Sequence, residues 1–143
     1  MYLLDTNIWL ERLLNQARAP EVKQLLDAVD SAELALSDFS LHSIGVILGR
    51  SQKLTVLDQF VADLFLHGRV SLLTLSGADV QSVTAAMRTQ HLDFDDAYQY
   101  VLAKRHHLTF VSFDTDFDRT DLPRQTPAKL LAALPPPTEQ TQT

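Results

Sequence analysis

The sequence has no cysteine. Disulfides and thiolate metal sites are therefore excluded, and a reducing compartment, the cytoplasm, is the expected setting. Glycine is scarce, at four residues of 143, and no glycine-rich loop able to cradle a phosphate occurs. No uninterrupted apolar run approaches the length of a membrane span, so no membrane association is expected. Basic residues are outnumbered: 12 Lys and Arg against 18 Asp and Glu give a net charge of −6. Nucleic acid is thus not held here by bulk positive charge. The N-terminus, MYLLDTN, shows an acid at Asp5 and no basic segment before an apolar run, which argues against a signal peptide.

Glutamate is rare as well. It occurs only at positions 11, 21, 33 and 139, against fourteen aspartates. Seven of those aspartates (93, 95, 96, 114, 116, 118 and 121) fall within 29 residues. Aspartate caps helices and starts turns, which accounts for part of this clustering. What is present otherwise is ordinary for a globular domain: 45% hydrophobic and 21% charged residues, enough apolar surface for a core.

Along the chain, short apolar runs alternate with amphipathic stretches. Residues 2–4 read as a strand ending at Asp5, and Asp5 or Thr6 caps a helix to about Leu14. Pro20 opens a second helix running to Val29. ELALS (33–37) reads as a strand, and Ser37 or Asp38 caps the helix that follows. The spacing predicts helices over 53–67, stopped by Gly68, and over 76–90 and 94–106. Val70–Leu75 and the β-branched, aromatic Leu108–Phe113 read as strands, the latter as a central parallel one. Pro127 starts a last short helix to Leu134. No hairpin signal joins any two strands. The pattern therefore implies right-handed β-α-β units, a parallel sheet and helices on both faces, in one domain spanning 1–134. The tail 135–143, PPPTEQTQT, has nothing to bury and is expected to be disordered.

Ligands of open parallel sheets bind beyond the C-terminal strand ends. Asp5 follows the first strand and Asp114 follows the last, so both reach that edge. Asp116 shares the turn of Asp114. Asp96 stands in the first turn of the 94–106 helix, where the dipole tolerates negative charge. Each alone reads as a cap, a dipole-favoured acid or an Asx-turn. Together they bring four carboxylates to one cleft, where bare charges repel and a divalent cation resolves the conflict. All-oxygen sites favour Mg²⁺ or Mn²⁺ over zinc. Asp93 and Asp95 read as cap and solvated face, and 104–107 as cations at a helix C-terminus. An EF-hand is excluded by Arg119 and Gln125 at the loop positions that need Gly and Glu. A dehalogenase-type phosphatase needs its Asp-x-Asp near the N-terminus, and a receiver domain needs an acidic pair after the first strand; neither pattern is met.

LLDTNIWL at the N-terminus, LDFDDAYQYVLAKRHHLTFVSFDTDFD and the closing TPAKLLAAL together resemble the PIN-domain family, which includes VapC-like toxins of toxin–antitoxin pairs. The likeness runs over residues 1–134. It implies a PIN-like three-layer α/β/α fold with a central parallel sheet of four or five strands. It implies a ribonuclease whose Asp5, Asp96, Asp114 and Asp116 hold Mg²⁺ or Mn²⁺, with Thr6 or Asn7 orienting Asp5. It also implies an RNA substrate, a protein antitoxin and a homodimer. One departure stands out. The resemblance places a further acid, usually Glu, at Ser43, beside His42 in FSLHSIGVIL. On a helix Ser43 shares a face with Phe39, Val46 and Ile47, and His42 is turned roughly a quarter-circle away. Two readings stay open. Ser43 is a small residue bonding back to Phe39, or Ser43 or His42 completes a modified metal shell. The departure leaves a second function class beside the nuclease: a catalytically weak PIN-fold protein that binds RNA or a protein partner.

Overall fold

The period-two alternation of the strands sorts the core into two halves. The computed structural model describes residues 1–136. The tail expected to be disordered lies outside the described residues from 137 onward. Four strands, β1 (Tyr2–Leu4), β2 (Leu34–Ser37), β3 (Ser71–Leu73) and β4 (Thr109–Val111), form one parallel sheet in the order β3-β2-β1-β4. Leu3 pairs with Ala35 and Phe110, and these side chains share one face. Leu4 and Val111 pair one step on and share the other face with Leu34 and Leu36.

Helices cover both faces, as the alternating pattern requires. Five lie on the Leu4 side: α1 (Thr6–Leu13), α2 (Ala19–Ala28), α3 (Asp38–Arg50), α4 (Leu54–Val61) and, placed last in the chain, α7 (Pro127–Ala133). They contribute Trp9, Val22, Leu25, Ile44, Leu48, Phe60 and Leu130 to that core. The helices α5 (Val80–Gln90) and α6 (Phe94–Arg105) cover the Leu3 side with Val83, Ala86, Ala97, Val101 and Leu102. Among the described residues, no helix is long and apolar enough to cross a membrane.

The elements differ from the sequence reading where local polar chemistry intervenes. The helix expected from 76 starts at Val80, because Ser76 N–H donates to Asp79 Oδ2 at 2.7 Å and closes a turn ahead of it. The helix expected over 53–67 ends in a widened π turn, Ala62–His67. A Cβ on Gly68 would meet the Asp63 carbonyl oxygen at 2.5 Å, so only glycine fits the close return of the chain there. Beyond β4, a single parallel bridge joins Val111 to Gln125. This one rung is all of a fifth strand.

The sheet order places a switch point beside β1. From β1 the chain moves outward to β2 and β3, then returns to β4 on the other flank of β1. The crevice opens at the C-terminal ends of β1 and β4. After β4 the chain forms a 3₁₀ turn, Asp116–Arg119. Its Phe117 is fully buried and stacks on Phe110 of β4 with ring centroids 4.1 Å apart. That stack ties the turn to the sheet. Phe117→Ala is expected to cost about 3–5 kcal/mol of unfolding free energy, measured by urea denaturation. A loss below about 1 kcal/mol would mean the turn is held by its polar bonds instead.

Candidate metal centre

Asp5 leaves the sheet directly from β1 and serves as the N-cap of α1. Its Oδ1 accepts from Thr6 N–H at 2.7 Å. Its Oδ2 accepts from the Ser112 hydroxyl at 2.8 Å and from Asn7 Nδ2 at 3.3 Å. Asn7 reaches across to the end of β4 as well: its Nδ2 donates to Ser112 Oγ at 3.1 Å and its Oδ1 accepts from Phe113 N–H at 3.2 Å. The fully buried Ser112 takes a further bond, from Asp114 N–H at 2.9 Å. One hydroxyl thus fixes Asp5, Asn7 and the start of the Asp114 loop.

Asp114 and Asp116 form an Asx-turn, with Asp114 Oδ1 accepting from Asp116 N–H at 2.9 Å. Asp96 stands in the first turn of α6, whose N-cap Asp93 accepts from Asp96 N–H at 3.1 Å. Ligand oxygens of Asp96, Asp114 and Asp116 all lie within 4.8 Å of one another. Asp5 is not a member of that triad. It faces the same cleft, a cavity of about 280 Å³ lined also by Thr6, Asn7, Ser43, Asp96 and Asp114. Asp118 is turned out of the cluster into an ion pair with Arg124, at 3.1 Å.

The structure therefore brings Asp5, Thr6, Asn7, Ser43, Asp96 and Asp114 to one cleft, with Asp116 in contact through the triad. His42 is exposed and is not among the lining residues. Asp95, read from sequence as a solvated face, lines the cleft. Three polar residues that the sequence reading passed over complete it. Gln99 Nε2 donates to Ser40 Oγ at 2.7 Å, the Thr6 hydroxyl donates to the same Oγ at 2.8 Å, and Ser112 holds Asp5. The available signal was position: each is a polar residue inside an apolar run, facing a strand end.

No lysine or arginine lines the cleft. The acids therefore raise one another. Burial, opposed by the hydrogen bonds of Ser112 and Thr6 and reinforced by the charge of Asp114, pushes Asp5 above its ordinary value. Burial, then the charges of Asp93, Asp5, Asp114 and Asp116, pushes Asp96 up to about 7. The donor set fits a hard divalent cation: three close carboxylate oxygens, with no basic residue and no soft ligand among the described residues of the lining.

A larger apolar groove of about 560 Å³ lies apart from the carboxylates, between α1, α2 and α4. It is lined by residues including Trp9, Leu13, Leu26 and Phe60, and the buried Trp9 Nε1 has no acceptor.

A family model described as PIN domain matches residues 2–122. No match is found among curated protein sequences. Among solved structures, a toxin–antitoxin complex from Klebsiella pneumoniae superimposes with a TM-score of 0.71 at 21% identity, covering 89% of this chain and 98% of that one. FitAcB from Neisseria gonorrhoeae gives 0.69 at 24% identity, with 90% and 99% covered. VapC20 of Mycobacterium tuberculosis, described as a Sarcin-Ricin loop cleaving toxin, gives 0.70 at 18% identity, with 85% and 96% covered. At these identities the likeness is one of fold.

The Asp96 shift has a consequence for stability. In the unfolded chain its pKa returns to 3.8, so between that value and about 7 the folded state holds a proton that the unfolded state has lost. The stability of the metal-free protein accordingly falls as pH rises through this window. With chelator present, Asp96→Asn is expected to melt above wild type at a pH beyond about 7, and the gap should close toward the unfolded pKa. Thermal circular dichroism across pH measures this, and a gap that widens on acidification contradicts it.

Proposed function

We infer that this chain, which belongs to the PIN-domain family, is a metal-dependent endoribonuclease and the toxin of a toxin–antitoxin pair. The observation that carries the reading is the triad of Asp96, Asp114 and Asp116 oxygens in a cleft with no basic residue of its own. Mg²⁺ or Mn²⁺ is the group that such a donor set takes. Asp96, Asp114 and Asp116 would hold it, with Asp5 as the fourth carboxylate. Asp5 Oδ2 accepts from both Ser112 and Asn7, whereas Oδ1 accepts only from Thr6 N–H and keeps a lone pair for a cation. The chemistry supplied by the bound group is Lewis acidity toward a water and a phosphoryl oxygen.

The chain's own residues do the rest. Thr6 N–H, Asn7 and Ser112 hold the Asp5 carboxylate against rotation. The Asx-turn fixes Asp116 relative to Asp114. Arg18 lies 4.5 Å over the ring of Phe113, the residue before Asp114, and makes no ion pair among the described residues. It offers a phosphate contact beside the cleft that the overall negative charge does not supply. RNA as substrate draws support from VapC20, whose description names cleavage of the Sarcin-Ricin loop. A protein antitoxin draws support from the Klebsiella pneumoniae complex and from the largely apolar groove between α1, α2 and α4. A homodimer and a cytoplasmic setting are part of the same reading.

The second reading, a PIN-fold protein that binds RNA or a partner with little turnover, rests on Ser43. It lines the cleft with a neutral hydroxyl where the family resemblance calls for an acid. Purified protein is expected to cleave RNA with Mn²⁺ or Mg²⁺ and to stop in chelator, and Asp96→Asn should lose about 100-fold or more in rate. Equal rates for wild type and Asp96→Asn would sink the nuclease reading. Ser43→Glu separates the two readings: a large gain in rate identifies the natural protein as a weak nuclease, and no gain leaves the existing ligands sufficient.

A further inference from the structure

The cleft contains one more buried polar group whose bonding is incomplete. Gln99 lies on α6 three residues after Asp96, so the two side chains leave the same helix face, and both line the cleft. Gln99 is only 3% exposed. Its nitrogen end is engaged: Nε2 donates to Ser40 Oγ at 2.7 Å, and that bond sets the orientation of the amide. The carbonyl end is left over. Gln99 Oε1 is buried and, among the described residues, has no hydrogen-bond donor.

Among the described residues, no donor of the cleft bonds to it. Asp5, Asp96 and Asp114 are acceptors when ionised. The Thr6 hydroxyl is spent on Ser40, and Asn7 Nδ2 on Ser112 and Asp5. Ser43 makes no bond to it. A buried oxygen without a donor is held at a cost unless something else completes it. In a cleft of carboxylates, a cation satisfies Oε1 and the acids together. Hard divalent cations accept Asn and Gln carbonyls alongside carboxylates, and a neutral ligand adds a coordinating oxygen without adding to the repulsion among the acids.

We propose that Gln99 Oε1 is a neutral oxygen ligand of the divalent cation in this cleft, anchored for that role by Ser40 and Thr6. The proposal rests on the metal-site reading above and adds a ligand to it. Calorimetric titration of Mn²⁺ alone into chelator-stripped protein tests both. Wild type is expected to bind, Asp96→Asn to lose binding, and Gln99→Leu to bind about tenfold more weakly while near-ultraviolet circular dichroism stays unchanged. Wild-type affinity in Gln99→Leu, with binding lost in Asp96→Asn, overturns the Gln99 assignment alone. Absence of binding in wild type overturns the metal site and this ligand with it. Should Gln99→Leu fail to fold, Gln99→Glu decides. It keeps an oxygen and adds charge, so Mn²⁺ should bind at least as tightly as to wild type, and weaker binding overturns the proposal.

Discussion

A single buried hydroxyl joins the two strands on which the cleft depends. Ser112 sits one residue past β4, fully buried, and bonds to Asp5, Asn7 and Asp114 N–H. Asp5 ends β1, so this hydroxyl binds the tips of neighbouring strands whose ladder is only three residues long. Short parallel ladders hold their register through side chains and packing as much as through backbone bonds. The same contact that locks β1 against β4 also aims two of the carboxylates. Sheet pairing and site assembly therefore share the same bonds.

The carboxylates pull the other way. They crowd a cleft with no cation of the protein's own, and the raised Asp5 and Asp96 record that conflict. Several aspartates elsewhere are paired locally: Asp118 with Arg124, Asp121 with Lys104, Asp79 with Arg105 and Asp30 with Arg69. A net charge of −6 is consequently not a uniform coat. Part of its unbalanced share is gathered in the cleft, where an external cation is the natural counter-charge.

The sheet, the two-sided helical cover and the helix caps at Asp5, Ser37 and Asp93 were legible because each follows from local periodicity or capping chemistry. The placing of Asp5 and Asp114 at one edge followed from strand order. The roles of Ser40, Gln99 and Ser112 did not follow, because a polar side chain inside an apolar run is ambiguous until its partners are known. Those partners lie 34 to 107 residues away for the Thr6–Ser40 and Ser112–Asp5 bonds. Sequence spacing also gave no means of separating the tight triad from Asp5, since that distinction depends on side-chain reach across two strands. His42 and Ser43 are adjacent in the chain, yet the helix turns one outward and one into the cleft.

The lone rung between Val111 and Gln125 has a bearing on how this fold varies. Gln125 N–H donates to the Phe110 carbonyl at 2.8 Å and Ser112 N–H to the Gln125 carbonyl at 3.0 Å, so the chain leaves and rejoins the sheet at one level. Residues 112–125 are a closed excursion with both feet on the same step. Loop-closure entropy grows slowly with length, and here both feet are fixed by the sheet. An insertion at the exposed Pro123 is then expected to lengthen the excursion while both feet, and the acids beside the first of them, keep their bonds to the sheet.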